Sequence, residues 1–355
     1  MNTPQMEQIN ELQEEDQTPV NNKVLIASYL DDESLTGTIM DSGVEADWIY
    51  LEKKEEDIEN VFNFLTLKPA INEATQEEHG LIIGVEPNFE RIALAVRKYK
   101  RGAFVVLNSH QVAAILLKIW MDSDKYENLI CVKSIHTSDL IEYMAIKSGL
   151  NCISEIIEPG ELKDAIREVQ KTAENEPICG FNIDQQVFHT DLEFSDIIIS
   201  IAQKEIELRE SGLTLFDYLL EIYQEFGFYK EKTIAVDISS KTQKTHLLSI
   251  MDKIRKNPKY LESIFPLNTI TDYRKGSKIS IMTDKVNSFT GSKENILTME
   301  STNNLSVTFA PSDTKMTYYI SIKGGVTSKE KYADKNKEMD EEILKVIQML
   351  NRGNL

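Results

Sequence analysis

Glycine is scarce in this chain: 15 of 355 residues, about 4% where about 7% is usual. Glycine supplies the tight turns that let backbone approach a phosphate, so few such turns are on offer. Cysteine is scarcer. Cys131, Cys152 and Cys179 are far apart, odd in number, and form no Cys-x-x-Cys pair. That argues against a disulfide framework and against a zinc site, and it fits a reducing cytoplasm. No apolar run approaches the roughly 18 residues of a membrane span. The N-terminus lacks the basic-then-apolar order of a secretory signal. Positive charge is short as well: 39 Lys and Arg stand against 58 Asp and Glu, a formal net charge of −19. A nucleic-acid groove needs a basic field, and so does binding to an anionic membrane. Neither partner is expected. The excess acid keeps the chain in solution.

What the chain does have is pattern. Hydrophobic residues make up 41%, enough for real cores, and the length favours two or three domains. Residues 1–22 are rich in Gln, Glu and Asn and read as an acidic tail. Strand-like runs follow at 24–27, 48–51, 81–85 and 104–107. Between them lie a helix at 34–42 stopped by Gly43 and helical spacing at Ile58, Val61, Phe62 and Leu65. A helix at 111–121 comes next, which Ser109 is expected to cap. Strands at 129–132 and 152–157 alternate with helices at 139–147, 162–172 and 197–209. A further helix is expected to start at its cap Thr214 and to close at Gly227. Strands alternating with helices predict parallel sheet with helical cover. From Thr233 the pattern changes. Short strands at 234–238, 278–283, 296–300, 305–309 and 318–322, a turn at Asn303-Asn304, and helices at 246–256 and 335–350 predict an α+β domain.

Four segments carry a resemblance. The first is Gly84-Val85-Glu86-Pro87-Asn88-Phe89-Glu90-Arg91, at the end of an apolar strand. Its alternating oxygens are a way for a loop to wrap a hard cation such as Mg²⁺. The second, Lys133 to Leu140, is similar to a strand-to-helix turn. The third is Gly180-Phe181-Asn182-Ile183-Asp184-Gln185, and the fourth is Ala310-Pro311-Ser312-Asp313-Thr314-Lys315. The stretch from Thr214 to Lys232 matches most closely. Together, and in this order, they resemble the α-D-phosphohexomutases: phosphoglucomutase, phosphomannomutase and phosphoglucosamine mutase. The resemblance runs from about Asn22 to the C-terminus.

That resemblance implies two α/β domains with mixed sheets followed by an α+β domain. The metal-loop domain would span 23–125, the sugar-loop domain 126–232 and the phosphate-loop domain 233–355. Nothing resembling the family's first domain, with its phosphoserine segment, is found. In the family a phosphoserine passes its phosphoryl group to a bound sugar phosphate, with Mg²⁺ held by three Asp.

Each functional position has changed here. The metal loop carries Glu86, Asn88 and Glu90 in place of Asp-x-Asp-x-Asp. The longer Glu side chains and the lost charge at Asn88 disfavour the strict octahedral geometry of Mg²⁺. Arg91 is retained. The sugar loop keeps Gly180 and Phe181 but offers only Asn182 and Asp184 to hydroxyls. The phosphate loop keeps Ser312 and Thr314 and gains Lys315. It has Ala310 where the family has Arg, and Asp313 where it has Gly. Arg suits bidentate phosphate binding, and a carboxylate repels it.

The expectation is therefore a degenerate phosphohexomutase-like protein, without catalytic residues. No cofactor is expected, and Mg²⁺ only if the altered loop still binds it. It would act as a binding or regulatory partner, through a protein partner or self-association. A hexose phosphate is the small ligand the resemblance implies. Two alternatives stay open: a mutase or sugar-phosphate binder completed by a separate subunit, and an assembly protein.

Overall fold

The computed structural model describes residues 23–52, 62–123, 125–126, 128–173, 175–258, 265–291, 293–326 and 328–351. The tail at 1–22 and the helical spacing at Ile58 and Val61 lie outside the described residues. By internal contacts the chain forms two units. Among the described residues, one comprises those within 23–88, 92–107 and 194–216; the other comprises those within 89–91, 108–193 and 217–351.

The first unit is built on a five-stranded sheet of order β2-β1-β3-β4-β5. Its strands are β1 (Val24–Ser28), β2 (Ala46–Tyr50), β3 (Leu81–Glu86), β4 (Arg91–Arg97) and β5 (Phe104–Val106). β1 pairs parallel with both β2 and β3, while β4 and β5 pair antiparallel. β1 and β3 are buried along their whole length, as unbroken apolar runs in a parallel sheet should be. Helix α1 (Glu33–Asp41) starts at Asp32, whose side chain accepts from the Leu35 N–H, and is followed by Gly43 at φ 82°. Helix α2 (Lys68–Gln76) opens with Pro69, which suits a first turn. Its Ala70 and Ala74 join a core with Leu25, Ile82 and Ala95. Neither α2 nor β4 was expected. The Ile-Ala-Leu-Ala-Val run of β4 follows directly on the motif ending at Arg91.

Helix α6 (Phe194–Glu210) packs on α1 and β3. Glu205 is 2% exposed, and its Oε1 lies 3.0 Å from Arg209 Nε one turn on. Its Oε2 accepts the Leu215 N–H at 3.1 Å, at the start of helix α7 (Leu215–Phe226). A Cβ on Gly80 would sit 2.0 Å from the Arg209 guanidinium, so the glycine makes room for that group.

The second unit holds two sheets. The four-stranded one has order β7-β6-β8-β9, with β6 (Ile130–Ser134), β7 (Asn151–Glu155), β8 (Ile178–Phe181) and β9 (Val187–His189). β6 is parallel to β7 and β8, and β9 returns antiparallel. Helices α3 (Ser109–Met121), α4 (Asp139–Lys147) and α5 (Leu162–Gln170) accompany it. α3 is capped by Asn108, not Ser109. The Asn108 side chain accepts from Gln111 N–H, while the Gln111 side chain accepts from Asn108 N–H. An asparagine whose oxygen reaches the third helical residue outcompetes the serine that follows it.

The seven-stranded sheet is antiparallel at each pairing and has order β10-β16-β15-β14-β11-β12-β13. Its strands are β10 (Phe228–Asp237), β11 (Leu267–Asp272), β12 (Ser277–Ser280), β13 (Val286–Ser288), β14 (Leu297–Ser301), β15 (Leu305–Pro311) and β16 (Lys315–Gly324). Helices α8 (Lys241–Lys256) and α9 (Tyr332–Asn351) complete it. β10 is one continuous strand, so the step expected at 232/233 falls within it.

Removing the Glu205 carboxylate leaves the buried Arg209 cation without its counter-charge. Glu205→Ala should therefore destabilise the chain by about 3–5 kcal/mol in urea unfolding, and Glu205→Gln by less. Equal, small losses for both would show that the pair contributes packing rather than charge.

Candidate functional site

Glu86 ends β3 and is buried; Asn88 is exposed on the short turn that follows. Glu90 sits in the left-handed region at φ 52°, which an L residue seldom adopts. Two contacts hold it. Its carbonyl accepts the Val187 N–H at 3.0 Å, and its carboxylate accepts from Lys163 Nζ at 2.9 Å. Among the described residues no group of three His, Cys, Asp or Glu is placed to hold a metal ion.

Arg91 and Asp184 come together. Arg91 Nη2 donates to Asp184 Oδ2 at 3.1 Å, and the same oxygen accepts the Gly160 N–H at 2.9 Å. A single bridge between Arg91 and Gln186 sets this meeting. Asn182 is buried and joins its loop to the one at Glu158. Its Nδ2 donates to the Glu158 carbonyl at 2.9 Å, and its Oδ1 accepts the Ile183 N–H at 2.8 Å. Asn182 and Asp184 Oδ2 thus tie this loop to residues 158–160, while Asp184 Oδ1 is buried with no hydrogen-bond partner among the described residues.

Ser312, Thr314 and Lys315 lie at the β15–β16 turn. Ser312 N–H donates to the Lys315 carbonyl at 2.8 Å, and Ser312 Oγ accepts the Lys315 N–H at 3.0 Å. The Thr314 carbonyl takes the Ile238 N–H at 2.7 Å. Asp313 is fully exposed and pairs with Lys244 Nζ at 2.8 Å, which holds its carboxyl below the usual range. This is a tight strand turn presenting a carboxylate.

One opening of the second unit is walled by its larger sheet. A cavity of about 750 Å³ is bounded by the β6–α4 turn, by α4, and by one face of the seven-stranded sheet. Strand register sets that face. Glu231, Ser321, Ser306 and Glu300 stand side by side on β10, β16, β15 and β14. The next row is Thr233, Tyr319, Thr308, Thr298, Thr271 and Lys278. The signal for this face is the period-two alternation within each strand, as in Leu297-Thr298-Met299-Glu300. Reading one strand shows that a polar face exists, but not that six such faces align.

Lys133, 1% exposed, closes one end of the cavity. Its Nζ donates to the Thr137 carbonyl at 3.0 Å and lies 3.4 Å from Asp139 Oδ1. His110 Nδ1 accepts the Ser138 N–H at 3.2 Å, which puts the ring proton on Nε2. Burial, then the nearby Lys133 charge, lowers both His110 and His136 to about 4, so both rings are neutral at physiological pH. His136 stacks on Tyr319 with centroids 3.9 Å apart. Glu231 is pushed up to about 7 by burial and by Asp139, against the opposing effects of its Ser138 hydrogen bond and of Lys133.

No established family profile matches the chain. It is 25% identical over 193 residues to the phosphoglucomutase of Staphylococcus haemolyticus (strain JCSC1435), covering 53% of this chain and 35% of that protein. It is 23% identical over 266 residues to the phosphoglucomutase of Staphylococcus aureus (strain USA300), covering 72% and 47%. Among solved structures, a phosphoglucomutase/phosphomannomutase family protein from Burkholderia thailandensis superposes with a TM-score of 0.54 at 12% identity. That match covers 90% of this chain and 59% of the other. The pp63/parafusin phosphoglucomutase of Paramecium gives 0.52 at 11%, covering 76% and 46%. The chain is thus a phosphohexomutase-like protein by fold. Its curated homologues are phosphoglucomutases, and it spans less than half the length of either of the two described.

The Glu231 carboxyl favours the folded state only while protonated. Its contribution is complete below about pH 4.5 and is lost as pH rises through about 7. Glu231→Gln removes that dependence. Urea unfolding across pH 5 to 8 should show the variant gaining on the wild type toward pH 8, by on the order of 1–2 kcal/mol. Parallel pH profiles would contradict the buried acid.

Proposed function

We propose that this chain is a non-catalytic phosphohexomutase-like protein that acts as a binding or regulatory partner in sugar-phosphate metabolism. The supporting observation is the use to which its motif side chains are put. Asn182 is committed to backbone, and Asp184 Oδ2 to backbone and to Arg91. The Glu90 carboxylate is engaged by Lys163. The turn at 312–315 closes on itself and shows Asp313 to solvent. Phosphoryl transfer relies on positioned cations and donors around the moving group. Here the corresponding positions offer internal hydrogen bonds and a negative charge. Proteins without turnover still serve as partners through a retained fold, and the partner reading rests on that analogy.

The purified chain should not interconvert the 1- and 6-phosphates of glucose, mannose or glucosamine, with Mg²⁺ and a bisphosphate activator present. Turnover proportional to protein and lost in Glu86→Ala would overturn the proposal in favour of a mutase.

Ala310→Arg combined with Asp313→Gly supplies a forked donor and removes a repelling charge. Inorganic phosphate should then raise the melting temperature of the variant and leave that of the wild type unchanged. Equal protection of both would mean that an anion site exists without these changes.

A further inference from the structure

The cavity of the second unit has the motif segment Lys133–Asp139 on one side and, on the other, a sheet face that none of the motif positions describes. Along its sheet wall the two rows carry hydroxyls at every position but Glu231, Glu300 and Lys278. A Ser, Thr or Tyr hydroxyl both donates and accepts, so such a wall matches a partner whose own groups do both. The charges in the lining cancel. Lys278 Nζ lies 2.8 Å from Glu300 Oε1, and Lys133 is held by Asp139 and the Thr137 carbonyl. The lining as a whole holds three lysines, Lys133, Lys232 and Lys278, against the four acids Asp139, Glu142, Glu231 and Glu300. No excess of positive charge is left to attract a phosphate.

Two polar atoms in this lining, Glu231 Oε1 and His136 Nδ1, are buried with no hydrogen-bond partner among the described residues. Buried polar atoms are ordinarily satisfied, and exceptions call for a cause. Tyr319, stacked on His136, and Tyr273 supply apolar ring surface beside the hydroxyls. The volume of about 750 Å³ is in the range of small-molecule sites.

We propose that this cavity binds a neutral saccharide of one or two rings, through the hydroxyl rows of the seven-stranded sheet. Sugar hydroxyls meet Thr298, Thr308, Ser306 and Ser321, and the carbon-bound face of a ring lies against tyrosine. None of these residues belongs to the motif positions that support the absence of phosphoryl transfer. The two readings therefore fail separately.

The test uses the full chain. Calorimetric titration with glucose, maltose, cellobiose and glucose 6-phosphate should give saturable binding of at least one neutral sugar, with Kd about 1 mM or tighter. Glucose 6-phosphate should bind at least tenfold more weakly than the best neutral sugar. Thr298 Oγ1 and Thr308 Oγ1 lie 2.8 Å apart and bond to each other. Replacing both by Val removes the pair together, and with it the Thr298 partner of the Tyr273 hydroxyl. Thr298→Val with Thr308→Val should weaken sugar binding at least tenfold in a variant that still unfolds cooperatively. If that variant misfolds, Ser306→Ala serves, with a severalfold loss expected. Three results would overturn the proposal: no saturable binding of any neutral sugar, preference for the phosphate, or unaltered affinity in folded Ser306→Ala. Unchanged turnover assays would have no bearing on it.

Discussion

The Lys133 ammonium is buried on a strand whose five residues are all buried, and the surroundings must hold it. An unpaired charge there would be too costly to keep. The chain meets the demand locally. It turns after β6 so that the Thr137 carbonyl points back at Nζ, and Asp139 opens α4 within reach of the same atom. That turn presents the Ser138 N–H to His110, on α3. The ammonium also helps keep two imidazoles neutral. One positive charge thus ties together a strand, two helices and the end of the cavity.

Much of the fold was legible because local chemistry agreed with tertiary need. α4 runs over Asp139–Lys147 as its spacing predicts, with Gly149 at φ 78° beyond it. Asn304, at φ 60°, makes the turn expected of Asn303-Asn304. Where competing signals met, the reading went astray. The helix α2, opened by Pro69, was not read at all, and Asn108 takes the capping position next to an equally plausible Ser109. The site was less legible. Arg91 and Asp184 are 93 positions apart, and only strand register brings them together. The hydroxyl rows have the same origin, since pairing of six strands is a long-range fact that no window of sequence contains.

The altered loops and the cavity show two fates of polar side chains within one unit. At Asn182 and Asp184 they turn inward and stiffen a loop. On the sheet they stand in register and stay on a shared wall. The difference follows from backbone geometry. A loop with Gln185 at φ 68° turns its side chains onto nearby backbone, its own at Ile183 and that of residues 158–160. A strand directs alternate residues outward with no choice in the matter.

The helix α6 that covers β3 and α1 lies far along the chain from them. Synthesis makes that separation a delay. Residues 23 to 107 leave the ribosome well before residue 216 does, a lag on the order of ten seconds at ordinary elongation rates. During that interval the surfaces of α1 and β3 that later receive α6 lack that helix. They are then open to chaperones, or to the same surface on a neighbouring nascent chain. Conditions that slow elongation between residues 108 and 216 would lengthen the exposure without changing any property of the finished protein.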